Sequence, residues 1–325
     1  MRVLTTLVVA ASALTVAAAD RATAQSYPSR PITIVVPTTA GGPPDTLARL
    51  LGERMRMTLG QPIVVENTTG AGGTLGMVKA ARAAADGYTL SIGHLNSHVF
   101  SAISYGLSAE ALSFEPIALL TIAPMVFGAR IGFPPNDMAS LIAWLKANPD
   151  KATMGAVGVG GPATVWSAQF RHNTGATFQL VPYRGAFAIV QDVVAGQIDL
   201  TCVEASNIVP HLNGGKIKLY AVLSKTRWPA APDVPTIEET GAPMFPMPFW
   251  HGLWAPKGTP KDIIAKLNDA VVKAVAEPSV KARLAQIGQD TFPPDQLTPR
   301  ALGAYHHAEM EKWTPVVRAA GIKAN

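Results

Sequence analysis

The chain has 325 residues, 48% of them hydrophobic and only 15% charged, which is enough apolar side chain for two ordinary domains and too little charge for a disordered polymer. The formal charge of +5 comes without any Lys/Arg run that could track a phosphate backbone, so a nucleic-acid partner is not expected. A single cysteine, Cys202, excludes an internal disulfide, and cores of this size need none.

Residues 1–24 have the form of a secretory signal peptide. Met1-Arg2 gives a short basic start, residues 3–19 are small or apolar without charge, and Ala22-Thr23-Ala24 is an A-x-A cleavage site that leaves Gln25 first. The stretch is short and rich in Ala and Thr for a membrane anchor, and no later run reaches roughly 18 apolar residues. No Cys stands at the cleavage site, so an exported chain without a lipid anchor is expected.

Beyond it, short apolar runs alternate with helical spacing. The β-branched run 32–36 ends at Pro37 and reads as a buried strand. From Asp45 the pattern turns helical, with Leu47, Leu50, Leu51 and Met55 on one face and Gly60 at the close. A strand over 62–66, a helix over 74–84 and a strand over 88–92 follow. The alternation then restarts: a helix opened by Asp137 or Ser140, a strand over 152–157, a helix over 163–172, a strand over 178–181, a helix over 187–195, and strands over 197–203 and 217–222. The last third is mainly helical, and Thr259-Pro260 and Thr298-Pro299 each pair an N-cap with Pro at the first helical position. Such β-α-β alternation predicts mostly parallel sheets covered by helices, here in two α/β lobes. Residues 120–127 and 249–256 are the expected crossings between them.

Three Gly-rich turns each follow a strand and precede a helix: the turn from Pro37 through Gly41-Gly42 to Asp45, the turn Gly70-Ala71-Gly72-Gly73-Thr74, and the turn from Gly158-Val159-Gly160-Gly161 through Pro162 and Ala163 to Thr164. Glycine admits positive φ and close approach to the main chain, and the helix start behind such a turn offers unpaired N–H groups to an anion. A dinucleotide site is the rival reading. Leu75 breaks G-x-G-x-x-G in the second turn. Gly158, Gly160 and Ala163 match G-x-G-x-x-A in the third, but no acid closes the next strand, so no nucleotide or other cofactor is expected. Three such turns in equivalent places favour one shared binding site at the carboxyl ends of the strands.

Catalytic signatures are missing. No G-x-S-x-G or Walker A occurs, and His94 and His98, though spaced i,i+4, lack the Glu of a zinc-binding H-E-x-x-H, so no metal is expected. These two histidines read as loop groups that touch a ligand or face solvent. Asp45 reads as a helix-start acid, with a base as the alternative, and Cys202 as a small core residue. Arg184 either pairs with a carboxylate or stays exposed. Phe249, Trp250 and Trp254 read as core.

The order of these segments resembles the Bug-type solute-binding proteins of tripartite tricarboxylate transporters. The resemblance rests on 27–32 with 40–45, on Leu59-Gly60-Gln61-Pro62 running to Glu66-Asn67, on 70–73 and on Asp86-Gly87-Tyr88-Thr89-Leu90. It continues through Val181-Pro182-Tyr183-Arg184-Gly185, Gly196-Gln197-Ile198-Asp199, Pro232-Asp233-Val234-Pro235-Thr236 and 250–256, nearly the whole chain after residue 24. It implies a type II-like periplasmic binding protein fold, with residues 25–124 and 249–325 forming one lobe and 125–248 the other. It also implies a periplasmic monomer, not an enzyme, that captures a di- or tricarboxylate or an aromatic acid for the large and small integral membrane subunits of a transporter. The alternatives are an exported receptor for a two-component sensor, or an exported hydrolase using Asp45, His94 or Glu204. Carried over by motif, Thr38, Thr39, Gly41, Gly42 and Asp45 form one arm of a carboxylate pincer, and Gly70, Ala71, Gly72, Gly73 and Thr74 the other. His94, Asn96 and Ser97 belong to a third loop, while Gly160, Ala163, Thr164, Arg184 and Glu204 come from the second lobe. Thr38-Thr39, Thr68-Thr69 and Glu204 depart from the residues more usual in that family.

Overall fold

The computed structural model describes residues 26–323 apart from 213; the expected signal peptide and Gln25 lie outside them. The chain is of mixed α/β class, in two lobes each built on one sheet. The first sheet carries β1 (Ile32–Val36), β2 (Ile63–Asn67), β3 (Thr89–His94), β4 (Glu115–Ala123), then β10 (Phe249–Ala255) and β11 (Asp290–Thr291), in the order β11-β4-β10-β3-β1-β2. The second carries β5 (Met125–Arg130), β6 (Thr153–Val157), β7 (Gln179–Tyr183), β8 (Leu200–Glu204) and β9 (Ile217–Val222), in the order β7-β6-β8-β5-β9. The βαβ parts are parallel, β2-β1-β3 in one sheet and β7-β6-β8 in the other. The strands next to the crossings, β4, β5 and β10, pair antiparallel.

Helices fill the connections: α1 (Pro43–Leu59), α2 (Thr74–Ala81), α3 (Ser101–Ser104), α4 (Ser108–Leu112), α5 (Met138–Ala147), α6 (Pro162–Thr174), α7 (Ala186–Val194), α8 (Val209–Leu212), α9 (Lys261–Ala276), α10 (Pro278–Gln286) and α11 (Pro299–Ala319). Helix α1 shows how local chemistry sets them. Leu47, Leu51, Met55 and Leu59 form its buried stripe, and Gly60, at φ 69°, returns its N–H to the Arg56 carbonyl. It opens two residues before the expected Asp45, because the two prolines fit a helix start. Asp137 caps α5 and Thr298 caps α11, each accepting a backbone N–H three residues on.

Several boundaries differ from the sequence reading. Thr259 gives its hydroxyl to the Pro256 carbonyl, so Pro260 occupies the cap position of α9 and no side chain caps it. The strand expected from 197 starts at Leu200, because the N–H groups of Gln197 and Ile198 close the end of α7 on the Asp192 carbonyl. His94 to His98 is not a loop. His94 ends β3, and a buried π-helical turn, Leu95–Phe100, follows it. His98 stacks on Trp254, with ring centroids 4.5 Å apart, and its carbonyl bonds His306.

The crossings explain how the lobes meet. Only Pro124 separates β4 in the first sheet from β5 in the second, inside the expected crossing 120–127. The return differs: β10 lies wholly in the first sheet, and residues 223–248 before it make the passage. Leu223 N–H bonds the Met125 carbonyl and Met247 N–H bonds the Leu223 carbonyl, so the two crossings lie side by side. Moving away from this hinge, β10, β3, β1 and β2 face β8, β6 and β7 across a cleft.

Candidate functional site

The cleft encloses a cavity of about 930 Å³ at the strand ends of both sheets. Its first arm is the β1–α1 turn, of which Thr38, Thr39 and Gly42 line the cavity. Asp45, buried behind the turn, holds it in shape. Its carboxylate accepts the Gly41 N–H (2.9 Å), two Arg49 N–H groups (3.0 Å each) and the Asn67 amide (3.0 Å), while the same amide bonds the Thr38 carbonyl. Burial alone would raise the Asp45 pKa, but these bonds from Arg49, Gly41 and Asn67 hold it below the ordinary value. Asp45 and Gly41 therefore support the wall without lining it.

The second arm is a run of four positive φ angles, at Gly70 (126°), Ala71 (48°), Gly72 (64°) and Gly73 (97°), all four lining the cavity. Only glycine adopts most of these without strain. Side chains are also sterically excluded: a Cβ on Gly72 would lie 2.2 Å from Ser101 Oγ, and one on Gly73 2.9 Å from Ser97 Cβ. The Gly72 carbonyl takes bonds from Asn96 Nδ2 (3.2 Å) and Ser101 Oγ (3.0 Å). Among the described residues the N–H groups of Thr39, Ala71 and Gly72 carry no hydrogen bond. Thr74 turns its hydroxyl back to the Ala71 carbonyl and does not line the cavity. Ser97, also behind the wall, caps its own turn by exchanging hydrogen bonds with His94.

At the hinge end the lining is His94, Phe249, Met125 and Glu204. Glu204, at the end of β8, is buried rather than turned to solvent. Its Oε1 accepts Gln289 Nε2 (2.9 Å) and Ser206 Oγ (3.0 Å), and its Oε2 lies 4.0 Å from His251 Nε2. Burial pushes its carboxyl up to about 7, against the pull of the Ser206 and Gln289 bonds. Burial lowers His94 to about 3 and holds His251 well below the ordinary range, so both rings are neutral.

The second lobe contributes Ala163, Thr164 and Arg184. Arg184 is exposed at the mouth and is the one Lys or Arg side chain lining the cavity among the described residues. Gly160 does not line it. A Cβ there would lie 2.0 Å from Ser104 Oγ, so this glycine permits the third turn to seat on α3 of the first lobe. Gly158 likewise approaches Gly72, and a Cβ on it would stand 3.1 Å from Gly72 Cα. The third turn thus serves contact between lobes at two of its glycines.

Sequence reasoning missed Tyr105, Tyr183, Phe187 and Asn207 in the lining, and placed Phe249 only in the core, where it also packs on His94 at 5.2 Å. No local signal marks Gln289 or His251, which reach Glu204 through sheet pairing. Among the described residues no three His, Cys, Asp or Glu side chains cluster to hold a metal.

A family model described as tripartite tricarboxylate transporter family receptor matches residues 47–322. The UPF0065 protein in the TAR-I ttuE-ttuC' intergenic region of Agrobacterium vitis is 38% identical over 297 residues, 91% of this chain and 86% of that protein. The periplasmic binding protein BugD is similar in structure, with a TM-score of 0.85 at 37% identity over 92% of this chain and all (100%) of that one. MatC from Rhodopseudomonas palustris, solved with bound malate, gives a TM-score of 0.85 at 38% identity, over 90% of this chain and 100% of its own.

Proposed function

This chain belongs to the tripartite tricarboxylate transporter receptor family, and from that premise we propose that it is an exported receptor that closes two lobes over a small carboxylate. It passes the acid unchanged to the integral membrane subunits of a transporter. The observation that carries this reading is the paired glycine turns of the first lobe, with unbonded N–H groups at Thr39, Ala71 and Gly72, set opposite Arg184 across the cleft. Fixed N–H dipoles suit a carboxylate, and an arginine adds charge-assisted hydrogen bonds. A micromolar site requires about −8 kcal/mol in all, within reach of several such bonds in a desolvated cleft.

The lobes divide as residues 25–124 with 249–325, and 125–248, a division supported by the sheet membership of β4 and β5 on either side of Pro124. Binding without turnover is supported by the state of the groups that chemistry would use. Burial pushes the Cys202 thiol far up, and His94, lowered to about 3, is a poor base at neutral pH.

The test is a thermal-shift screen of the protein, unfolded and refolded to strip bound solute, against mono-, di- and tricarboxylates. Saturable stabilisation by one acid, recovered intact, is the expected result. No shift with any carboxylate would overturn the ligand class, and a converted acid would make the protein an enzyme.

A further inference from the structure

At the hinge end of the cavity His94 and Glu204 line the wall, and His251, Gln289 and Thr121 lie buried behind them. The Ser97 N–H donates to His94 Nδ1 (3.2 Å), so neutral His94 carries its proton on Nε2. That Nε2–H, in a ring only 2% exposed, has no partner. Gln289 gives its Nε2–H to Glu204 and so presents its Oε1 to Thr121, whose hydroxyl donates to it at 3.0 Å. Thr121 then accepts at 3.1 Å from His251 Nδ1, which leaves His251 Nε2 a bare lone pair, again without a partner. The two rings meet edge to face with centroids 5.9 Å apart. Glu204 Oε2, 4.0 Å from His251 Nε2, is too distant for a hydrogen bond to it.

With Glu204 ionised, one unpaired donor and two unpaired acceptors therefore converge where β3 and β8 end and β10 begins. Buried polar groups left unpaired are costly, so a site of this kind is satisfied from outside. The occupant must accept from His94 and donate to Glu204, the two of these groups that line the cavity. A hydroxyl does both, an ammonium can only donate, and a methylene does neither. Resting on the carboxylate-receptor reading above, we infer that His94 and Glu204, with His251 buried behind them, form a subsite for a ligand hydroxyl, and that the receptor takes hydroxy-substituted carboxylates over their unsubstituted counterparts. Sites that bond a substrate hydroxyl reject the analogue lacking it, because the partners are left bare.

Calorimetric titration of the refolded protein with matched pairs tests this: malate against succinate and citrate against tricarballylate, with aspartate as the ammonium control. The hydroxylated member of at least one pair is expected to bind at least tenfold more tightly, and aspartate no better than succinate. His94→Asn keeps an acceptor for the Ser97 N–H while withdrawing Nε2–H, and is expected to bring the paired affinities toward equality. Pairs that bind within twofold of each other in the wild type overturn the subsite, as does aspartate binding more tightly than malate. Binding by no acid at all overturns the carboxylate-receptor reading, and this subsite with it.

Discussion

The two lobes face the same cavity with loops of different construction. In the first lobe every cleft loop is tied from behind: Asp45 draws Gly41, Arg49 and Asn67 together, and Asn96 and Ser101 both hold the Gly72 carbonyl. In the second, Thr164 reaches the Gly158 carbonyl at only 3.4 Å, and Val159, Leu180 and Phe187 stand exposed at the mouth. One side is an anion site whose ordering cost is met during folding, and the other is a cover that can adapt. Carboxylate affinity should therefore reside in the first lobe, and choice among carboxylates in the second lobe and at the hinge.

The largest effect that could break this contrast is at Gly72. Gly72→Val places a β-branched residue at φ 64° with its Cβ in collision with Ser101. At least a hundredfold loss of affinity is expected for every acid, read by calorimetry on protein with native circular dichroism. Wild-type affinity in that variant would place the anion elsewhere.

Next come Glu204 and Asp45, a buried carboxylate from each lobe, which respond to pH in opposite senses. Glu204 is raised from 4.5 to about 7, so between those values the folded protein keeps a proton that the unfolded chain has released. Stability should fall as pH rises through that window, by about 3 kcal/mol, and level off above it. The groups facing Glu204 are His251, Ser206 and Gln289, and His251 stays neutral throughout. Glu204→Gln is expected to flatten the slope in denaturant titrations at stepped pH; an unchanged slope would assign it to another group.

Asp45 behaves inversely. Its folded pKa is lowered, so its contribution is present above about pH 4 and is lost as pH falls through the folded value. Asp45→Ala should cost about 2 kcal/mol of stability at neutral pH, the range for hydrogen bonds to a charged group, and weaken binding about tenfold. Equal binding with lowered stability would show that the first arm needs no tie from behind.

The smallest effect is expected at Phe187, 64% exposed in the second lobe. Phe187→Ala should leave the melting temperature unchanged within about 1 °C, as surface substitutions usually do. A severalfold loss for bulky acids and none for small ones, in competition titrations, would sharpen the picture of an adaptable cover.

Much of the fold was legible because each element carried its own signal: β-branched runs for the sheets, apolar spacing for α1, and Asp137 and Thr298 for two caps. The glycine arms were legible for the same reason. The hinge floor was not. Glu204 meets Gln289 and His251 only because β4 pairs with β10 and β11, and those partners lie far apart along the chain. Gly160 was misread because its neighbour, Ser104, belongs to the other lobe. Spacing reports which residues share a face of one element; it carries no information on which face of another element comes to meet them.

Strand β10 lies between β3 and β4 in space, yet the whole second sheet precedes it in the chain. During synthesis the second sheet, complete by Val222, has all its partners in hand, whereas the first waits for residues 249–255 with β3 unpaired along one edge and β4, whose other neighbour β11 comes later still, unpaired along both. The lobe that holds the anion arms is thus the last to close. Its folding is slowed by contacts of long sequence separation, and its competence to bind anything depends on the final quarter of the chain.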